Sequence, residues 1–385
     1  MPPSQKKPTI LFVNYVPFGD GCAVVLHRTT RYLKSKGYAI TVVTPPNEWL
    51  EVKAKEDGMT LLHVDIPLLI KFKGPGGYYC YFVRLCKAVA ALRKIIISGK
   101  YDIIHCNALP NFAPPFAAVI CRKPLVWHIH ELVLQIPFVY QLFRRLPPLF
   151  AGVIICPSKA VQHRFHPKKT IVIPNTIPDE WFDIAQESML RTKIRRDFGI
   201  GSKDKVVLWV GGIAPRKGLD KLLKCFVDYK RINGDITIMV VGPVFEKYRD
   251  HYEALRGFSE TLPVRVIFTG PVHDPRPFYL TADCVTQTSL LPEAFGLTVL
   301  EAMSCGKPVV CSGGGGTAEF VEHDITALVI DPSNIQDLRN AVLSICFDSN
   351  KAQRLGMSAR ERAKNYRASN ILPQLEKEYA RVMNA

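Results

Sequence analysis

Two glutamates, Glu293 and Glu301, stand eight residues apart in LLPEAFGLTVLEAMSCGKPVV, Leu290 to Val310, the most apolar part of the C-terminal half. Pro292 and the leucines before it suit a loop, Gly306 suits the position just past a helix end, and KPVV opens a strand. Glu293 therefore precedes the helix and Glu301 falls in its second turn. A helix turns about 100° per residue, so two helical residues eight apart would lie roughly 80° out of line. The spacing makes sense for a ligand lying across the helix start. Such a ligand takes hydrogen bonds from the free amides near Phe295, Gly296 and Leu297 and offers hydroxyls to both carboxylates. Sugar hydroxyls donate well to an ionised carboxylate, and a phosphate suits the positive end of a helix. The bland alternative for an arbitrary E-x7-E is one glutamate near a helix cap and one solvated on the helix.

Other stretches carry candidate chemistry. VGGIAPRKGLDKLL, Val210 to Leu223, follows a strand and opens a helix, so Lys217 sits where an ammonium can reach a pyrophosphate. Arg216 and Lys217 could equally be the solvated start of a surface helix. In LVWHIHEL, strand alternation puts His128 and His130 on one side, with His130 at the strand end and followed by Glu131. A strand-end histidine often satisfies its nitrogens on backbone groups instead. His105 in DIIHCN is a weaker candidate of the same kind. Gly19 and Gly21, in GDGCAV, form an early glycine loop, and Gly313 to Gly316 allow close backbone approach. No D-x-D motif stands in a suitable loop, and two cations on a leaving phosphate could replace a metal. The expectation is chemistry without a metal or other cofactor.

The elements that position these residues alternate. ILFVNYV, AITVVT, YDIIHCN, PLVWHIH, GVIICPS and TIVIPN read as short buried strands, most followed by a helix or loop. A second series runs KVVLWVGG, DITIMVVGP, VRVIFTG, ADCVTQTS, KPVVCSGG and TALVIDP. The fold class expected is α/β, two tandem Rossmann-like domains with parallel sheets facing a central cleft. The boundaries read as 1–178, a polar linker 179–204, 205–365, and a C-terminal helix over 366–385 that could pack back on the N-terminal domain. A dinucleotide-dependent dehydrogenase would share the alternation. The early loop, however, lacks the third glycine of G-x-G-x-x-G, and no acidic residue ends the second strand, VVTPPN.

At 385 residues the chain exceeds what one hydrophobic core supports, and 48% apolar residues make it globular. Its 11 cysteines show no C-x-x-C pair, which points to reduced, mostly buried thiols in the cytoplasm rather than zinc or a disulfide framework. No apolar run is long enough for a membrane span or a signal peptide. The net charge of +16 is uneven: residues 1 to 180 carry 23 Lys and Arg against 10 Asp and Glu. In LLIKFKGPGGYYCYFVRLCKAVAALRKIIISGK and LVLQIPFVYQLFRRLPPLF the basic residues lie among aromatics, which suits docking on an anionic membrane surface. The alternative there is an ordinary core helix with a basic solvated face. No nucleic-acid-binding motif is present, and nucleic acid is not expected as a partner.

EAFGLTVLEAMSCGKPVV resembles the signature of the retaining family-4 glycosyltransferases, E-x-F-G-x-x-x-x-E-A-M-A-x-G-x-P-V-V. The resemblance extends to the early glycine loop, YDIIHCN, the His130-Glu131 strand end, VICPSKAV, IVIPN, VGGIAPRKGLDKLL and CSGGGGTAEFV. It implies the GT-B fold, a UDP- or GDP-sugar donor held by the C-terminal domain and an acceptor held by the N-terminal one. By position it implies that Glu293 holds donor-sugar hydroxyls and Glu301 the nucleotide ribose, while Phe295, Gly296 and Leu297 supply amides. Lys217 and its neighbour Arg216 would meet the diphosphate, His130 the transferring sugar, and Gly19 and Gly21 the donor phosphates and acceptor. Where the family carries an arginine this chain has Gly212, so either Arg216 compensates or the donor is held more weakly. The implied activity is metal-independent retaining hexosyl transfer to a glycan or lipid-linked acceptor, by a cytoplasmic protein peripheral to the inner face of a membrane. A catalytically weak sugar-nucleotide-binding scaffold and a nucleotide-sugar epimerase are the alternatives.

Overall fold

The structure, a computed structural model, describes residues 7–15, 19–68, 74–132, 144–165, 169–183, 187–230 and 235–384. The chain divides into two compact units, Met1–Thr176 with Ala368–Ala385, and Ile177–Arg367. In each, runs of β-branched and apolar residues form parallel strands buried on both faces, as ITIMVV does throughout.

Among the described residues the first unit holds seven strands: β1 Thr9–Val13, β2 Ala39–Thr44, β3 Thr60–His63, β4 Ile103–Asn107, β5 Leu125–His128, β6 Val153–Cys156 and β7 Thr170–Val172. Their order is β3-β2-β1-β4-β5-β6-β7. The second unit holds β8 Lys205–Val210, β9 Ile236–Val241, β10 Arg265–Gly270, β11 Cys284–Gln287, β12 Val309–Cys311 and β13 Leu328–Val329, in the order β10-β9-β8-β11-β12-β13. All pairings within the two sheets are parallel. Strand β3 is the one the sequence pattern does not announce, because TLLH is an edge strand with no fully buried residue. The order reverses at β1, flanked by β2 and β4, and at β8, flanked by β9 and β11. At such a reversal the loops leaving the strands' carboxyl ends diverge and open a crevice for ligands. The loops after β1, β4 and β5, and after β8 and β11, are therefore where side chains can meet a ligand.

One expectation about domain limits changes, and one left open is decided. The segment 179–204, expected as a linker, is an integral part of the second unit, with Trp181, Ile194 and Ile200 in its core. Its polar groups are not idle and solvated: Arg191 donates to the Thr281 carbonyl at 2.9 Å and to Asp283 at 3.0 Å, and the segment's Gly199 and Phe198 carbonyls accept from Arg265 of β10, both at 2.8 Å. The closing helix, Ala368–Met383, belongs to the first unit, where Leu372, Leu375, Tyr379 and Val382 join the core under β1, β4 and β5.

The helix Gly74–Gly99 buries Ala88, Leu92 and Ile96, one residue per turn, whereas its first half exposes Tyr78, Tyr79 and Phe82. Of the two basic-aromatic segments, residues 69–73 and 133–143 lie outside the described residues. Among the described residues no helix is long and apolar enough to cross a membrane. All eleven cysteines are free, with Cys80 and Cys86 exposed on that same helix.

Candidate functional site

In the second unit β8 leads through Gly211 and Gly212 into the 3-10 turn Pro215–Lys217. Gly218 follows with φ +66°, and a Cβ there would stand 2.1 Å from the Thr288 carbonyl oxygen, so only glycine lets the turn press against the end of β11. The Thr288 hydroxyl lies 2.8 Å from the Gly218 carbonyl oxygen, and the Leu290 amide donates to the Arg216 carbonyl at 2.8 Å. This join aims Lys217 at Glu293, with Nζ 2.6 Å from Oε1; Arg216 Nη1 is 3.8 Å from the same oxygen, and the Ser289 hydroxyl donates to it. Burial by itself pushes the Glu293 carboxyl up. The Lys217 charge and hydrogen bond, with Ser289 and then Arg216, outweigh it and hold the carboxyl below the usual range. The site thus keeps a buried carboxylate ionised.

The Glu293 loop crosses the glycine run. The Gly316 amide donates to the Glu293 carbonyl at 2.8 Å, and a Cβ on Gly316 would lie 2.2 Å from the Ala294 carbonyl oxygen. Gly296, φ +95°, is the N-cap of the helix Leu297–Ser304 and gives it no side-chain cap. At the other end Gly306 is the C′ glycine anticipated, its amide bonded to Met303 and that of Lys307 to Ala302. Phe295 is buried, ringed by Phe320 and Tyr366, so its contribution to a ligand would come from its backbone. Glu301 in the second turn is only 5% exposed, and its Oε2 accepts the Tyr279 hydroxyl at 2.7 Å. Burial, then the Glu301 charge, raise the Tyr279 hydroxyl well above its usual value. Of the two glutamates, Glu293 is thus tied to the cationic turn and Glu301 to an interior tyrosine.

At Gly212 a Cβ would stand 2.4 Å from the Phe245 ring, which fills the space above the position where the resembling family has arginine. The helix after Lys217, Leu219–Lys224, has six residues, so the helix start expected to receive a phosphate there is weaker than that of the eight-residue helix Leu297–Ser304. Ser289, Tyr279, Phe245 and Thr288 carry no sequence signal, because their roles arise from contacts across the fold.

In the first unit the loop after β1 brings Gly19 beneath the Trp49 indole, where a Cβ would be 2.6 Å from the ring. Asp20 caps the helix Gly21–Ser35, accepting from the Ala23 amide at 2.9 Å. Burial raises the Asp20 carboxyl to about 6. A Cβ on Gly21 would meet nothing within 4 Å, so no packing demands that glycine. His130 lies just beyond β5, its ring 4.2 Å from that of His128 and its Nε2 2.8 Å from Asn107 Oδ1. Asn107 also donates to the Cys22 carbonyl at 3.4 Å, which joins His130 to the glycine loop. Glu131 accepts from the amides of Leu109 at 2.9 Å and His130 at 3.1 Å and from the Tyr15 hydroxyl at 3.4 Å. Burial outweighs those bonds and lifts its carboxyl to about 7. His105 is turned inward, Nδ1 2.7 Å from the Tyr379 hydroxyl, a structural role. Desolvation pushes His105 and His130 down to about 3, so both rings are neutral.

The comparisons with known proteins follow the two units. Residues 19–181 match the model of Glycosyltransferase Family 4, and residues 191–362 match that of Glycosyl transferases group 1. An uncharacterized glycosyltransferase of Methanocaldococcus jannaschii is 29% identical over 262 residues, 63% of this chain and 66% of that protein. A GDP-mannose-dependent alpha-(1-6)-phosphatidylinositol monomannoside mannosyltransferase of Mycolicibacterium smegmatis is 27% identical over 214 residues, 53% of this chain and 52% of that protein. The matched part thus spans about half to two thirds of these relatives. Among solved structures, Anabaena HepE in complex with UDP and glucose superposes with a TM-score of 0.84 at 22% identity, covering 97% of this chain and 99% of that one. WaaG, a glycosyltransferase involved in lipopolysaccharide biosynthesis, superposes at 0.68 with 18% identity, covering 96% and 98%. These likenesses share the two-Rossmann architecture known as GT-B.

Proposed function

The chain belongs to the family-4 glycosyltransferases, and from that premise we propose that it moves a hexosyl unit from a UDP- or GDP-sugar to a hydroxyl acceptor, with retention of configuration and without a metal. The observation that carries the reading is the Lys217–Glu293 pair at 2.6 Å, set at the strand-order reversal beside the uncapped helix start at Gly296. Side chains so placed offer a cation and amides to a diphosphate and an ionised carboxylate to sugar hydroxyls. In this reading Lys217 and Arg216 stabilise the charge of the leaving diphosphate. Glu293, kept ionised, orients the sugar, and His130 meets a hydroxyl of the transferring sugar. The leaving oxygen helps deprotonate the acceptor on the same face. Relatives named for GDP-mannose and a neighbour bound to UDP support a nucleotide sugar without choosing the base.

The acceptor is a glycan or lipid-linked glycan at an anionic membrane surface. Exposed Tyr78, Tyr79 and Phe82, in a half of the chain with a strong excess of Lys and Arg, support this, as does the relative acting on a phosphatidylinositol mannoside.

The test is incubation with UDP- and GDP-sugars, with and without membrane-derived acceptors and with a chelator present. Nucleoside diphosphate release, and a product of the donor's own anomeric configuration, are expected. A product that needs no acceptor would point to an epimerase, and thermal stabilisation by a donor with no diphosphate released would reduce the protein to a binder.

A further inference from the structure

We propose that Asn107 is a positioning residue that holds His130 in the tautomer protonated on Nε2, leaving Nδ1 as an acceptor for a ligand hydroxyl. Four adjacent strands, in the order β2-β1-β4-β5, present Thr44, Asn14, Asn107 and His130 at or just past their carboxyl ends, and these side chains form one hydrogen-bonded row. Asn14 Nδ2 donates to the Thr44 hydroxyl oxygen at 3.2 Å, which leaves its Oδ1 to accept from Asn107 Nδ2, also at 3.2 Å. Asn107 Nδ2 further faces the Cys22 carbonyl oxygen at 3.4 Å. The Thr44 hydroxyl could donate as well as accept, but the Cys22 carbonyl can only accept, so a flipped Asn107 amide would set oxygen against oxygen there, and that contact fixes its orientation. The oxygen therefore points to His130 Nε2, 2.8 Å away, and that nitrogen must carry the hydrogen.

The ring is neutral, so it has one N–H, and Asn107 has claimed it. Nδ1 makes no hydrogen bond among the described residues, and the residue is partly exposed, so this nitrogen is the one left for a ligand. The His128 ring, tilted 38° to that of His130 with centroids 4.2 Å apart, resists rotation of the His130 ring. The titratable groups around it are His128 and His105, both pushed to the neutral form by burial, with Glu131, Asp20, Tyr15 and Cys22, all raised by burial. A neutral ring with a bare Nδ1 recognises a hydroxyl hydrogen and cannot donate a proton. That the hydroxyl is a sugar's rests on the glycosyltransferase reading; the tautomer does not.

Nitrogen NMR of the full-length protein labelled with 15N-histidine tests this, with His130→Gln identifying the His130 signals. At pH 7 the protein should show a protonated Nε2 and an unprotonated Nδ1. Asn107→Leu should give mixed tautomers. Asn107→Asp, of the same size, should raise the His130 pKa by more than one unit and carry the acid limb of kcat/KM up with it. A protonated Nδ1, or an unchanged titration in Asn107→Asp, would overturn the assignment even if the leucine variant does not fold. With active enzyme, donor sugars with the contacted hydroxyl replaced by hydrogen or by fluorine should lose kcat/KM equally, about 10- to 100-fold, because fluorine accepts but cannot donate. A fluoro sugar that keeps most of its activity would count against Nδ1 as the acceptor. Absence of transfer with every donor would end the glycosyltransferase reading and leave the NMR result standing.

Discussion

At Glu293 burial and pairing pull in opposite directions, and pairing wins because Lys217, Ser289 and Arg216 all converge on one oxygen. Lys217→Ala should cut kcat/KM about 100- to 1000-fold, the range seen on removing one charge-stabilising donor, with an unchanged circular dichroism spectrum. Turnover within threefold of the parent would remove Lys217 from the reaction. Because folding lowers the Glu293 pKa, the stability it contributes is present above the ordinary value of 4.5 and is lost as pH falls through the lowered one. Glu293→Gln should therefore flatten the acid side of the stability profile below about pH 4.5, read as urea midpoints against pH. Glu131 has the opposite sign. Its folded value of about 7 lies above 4.5, so its contribution is complete at low pH and is lost as pH rises to about 7. Glu131→Gln, which keeps an oxygen for the two amides, should be relatively more stable at pH 8 than at pH 5, by an amount on the order of 1–3 kcal/mol. Parallel urea midpoints for the two proteins across that range would refute the assignment.

Among the elements, the glycine loop separates what packing requires from what a ligand requires. Gly19 lies under Trp49 and cannot gain a methyl group without moving the indole, whereas Gly21 opens the helix into free space. Gly19→Ala should lower both melting temperature and turnover. Gly21→Ala should leave the melting temperature within a degree or two or raise it, since alanine favours helix, and yet lower turnover at least tenfold if donor or acceptor approaches there. Full activity in Gly21→Ala would mean that nothing approaches the loop at that point. The same logic explains Gly212: Phe245 occupies the volume that an arginine side chain would need. The motif E-x7-E was legible because its loop, helix start and C′ glycine follow from local rules, and Gly306 ends the helix as the sequence implies. Tyr279 and Ser289 were not, since neither residue type nor spacing says which carboxylate a distant hydroxyl will reach.

For the molecule as a whole, the basic excess and the aromatic start of the helix Gly74–Gly99 bear on where it works. Replacing Tyr78, Tyr79 and Phe82 together with serine should weaken sedimentation with anionic liposomes at low salt several-fold and spare the melting temperature, because all three side chains are exposed. Equal sedimentation of the variant and the parent would remove this helix from membrane docking. Sequence by itself determined the two α/β series, twelve of the thirteen strands found among the described residues, the loop and helix that carry Glu293 and Glu301, and the family. It could do so because strand runs, glycine breaks and helix ends are set by residues within a few positions of one another. Tertiary structure decided the rest. It placed the polar segment 179–204 inside the second unit and the last helix inside the first, since a charged side chain reads the same whether it meets water or a carbonyl. It also gave Glu293 to Lys217 and His130 to Asn107, pairings 76 and 23 residues apart that exist only once parallel strands bring their carboxyl ends together, and Glu301 to Tyr279, 22 residues apart, which exists only once the helices Arg276–Thr281 and Leu297–Ser304 pack.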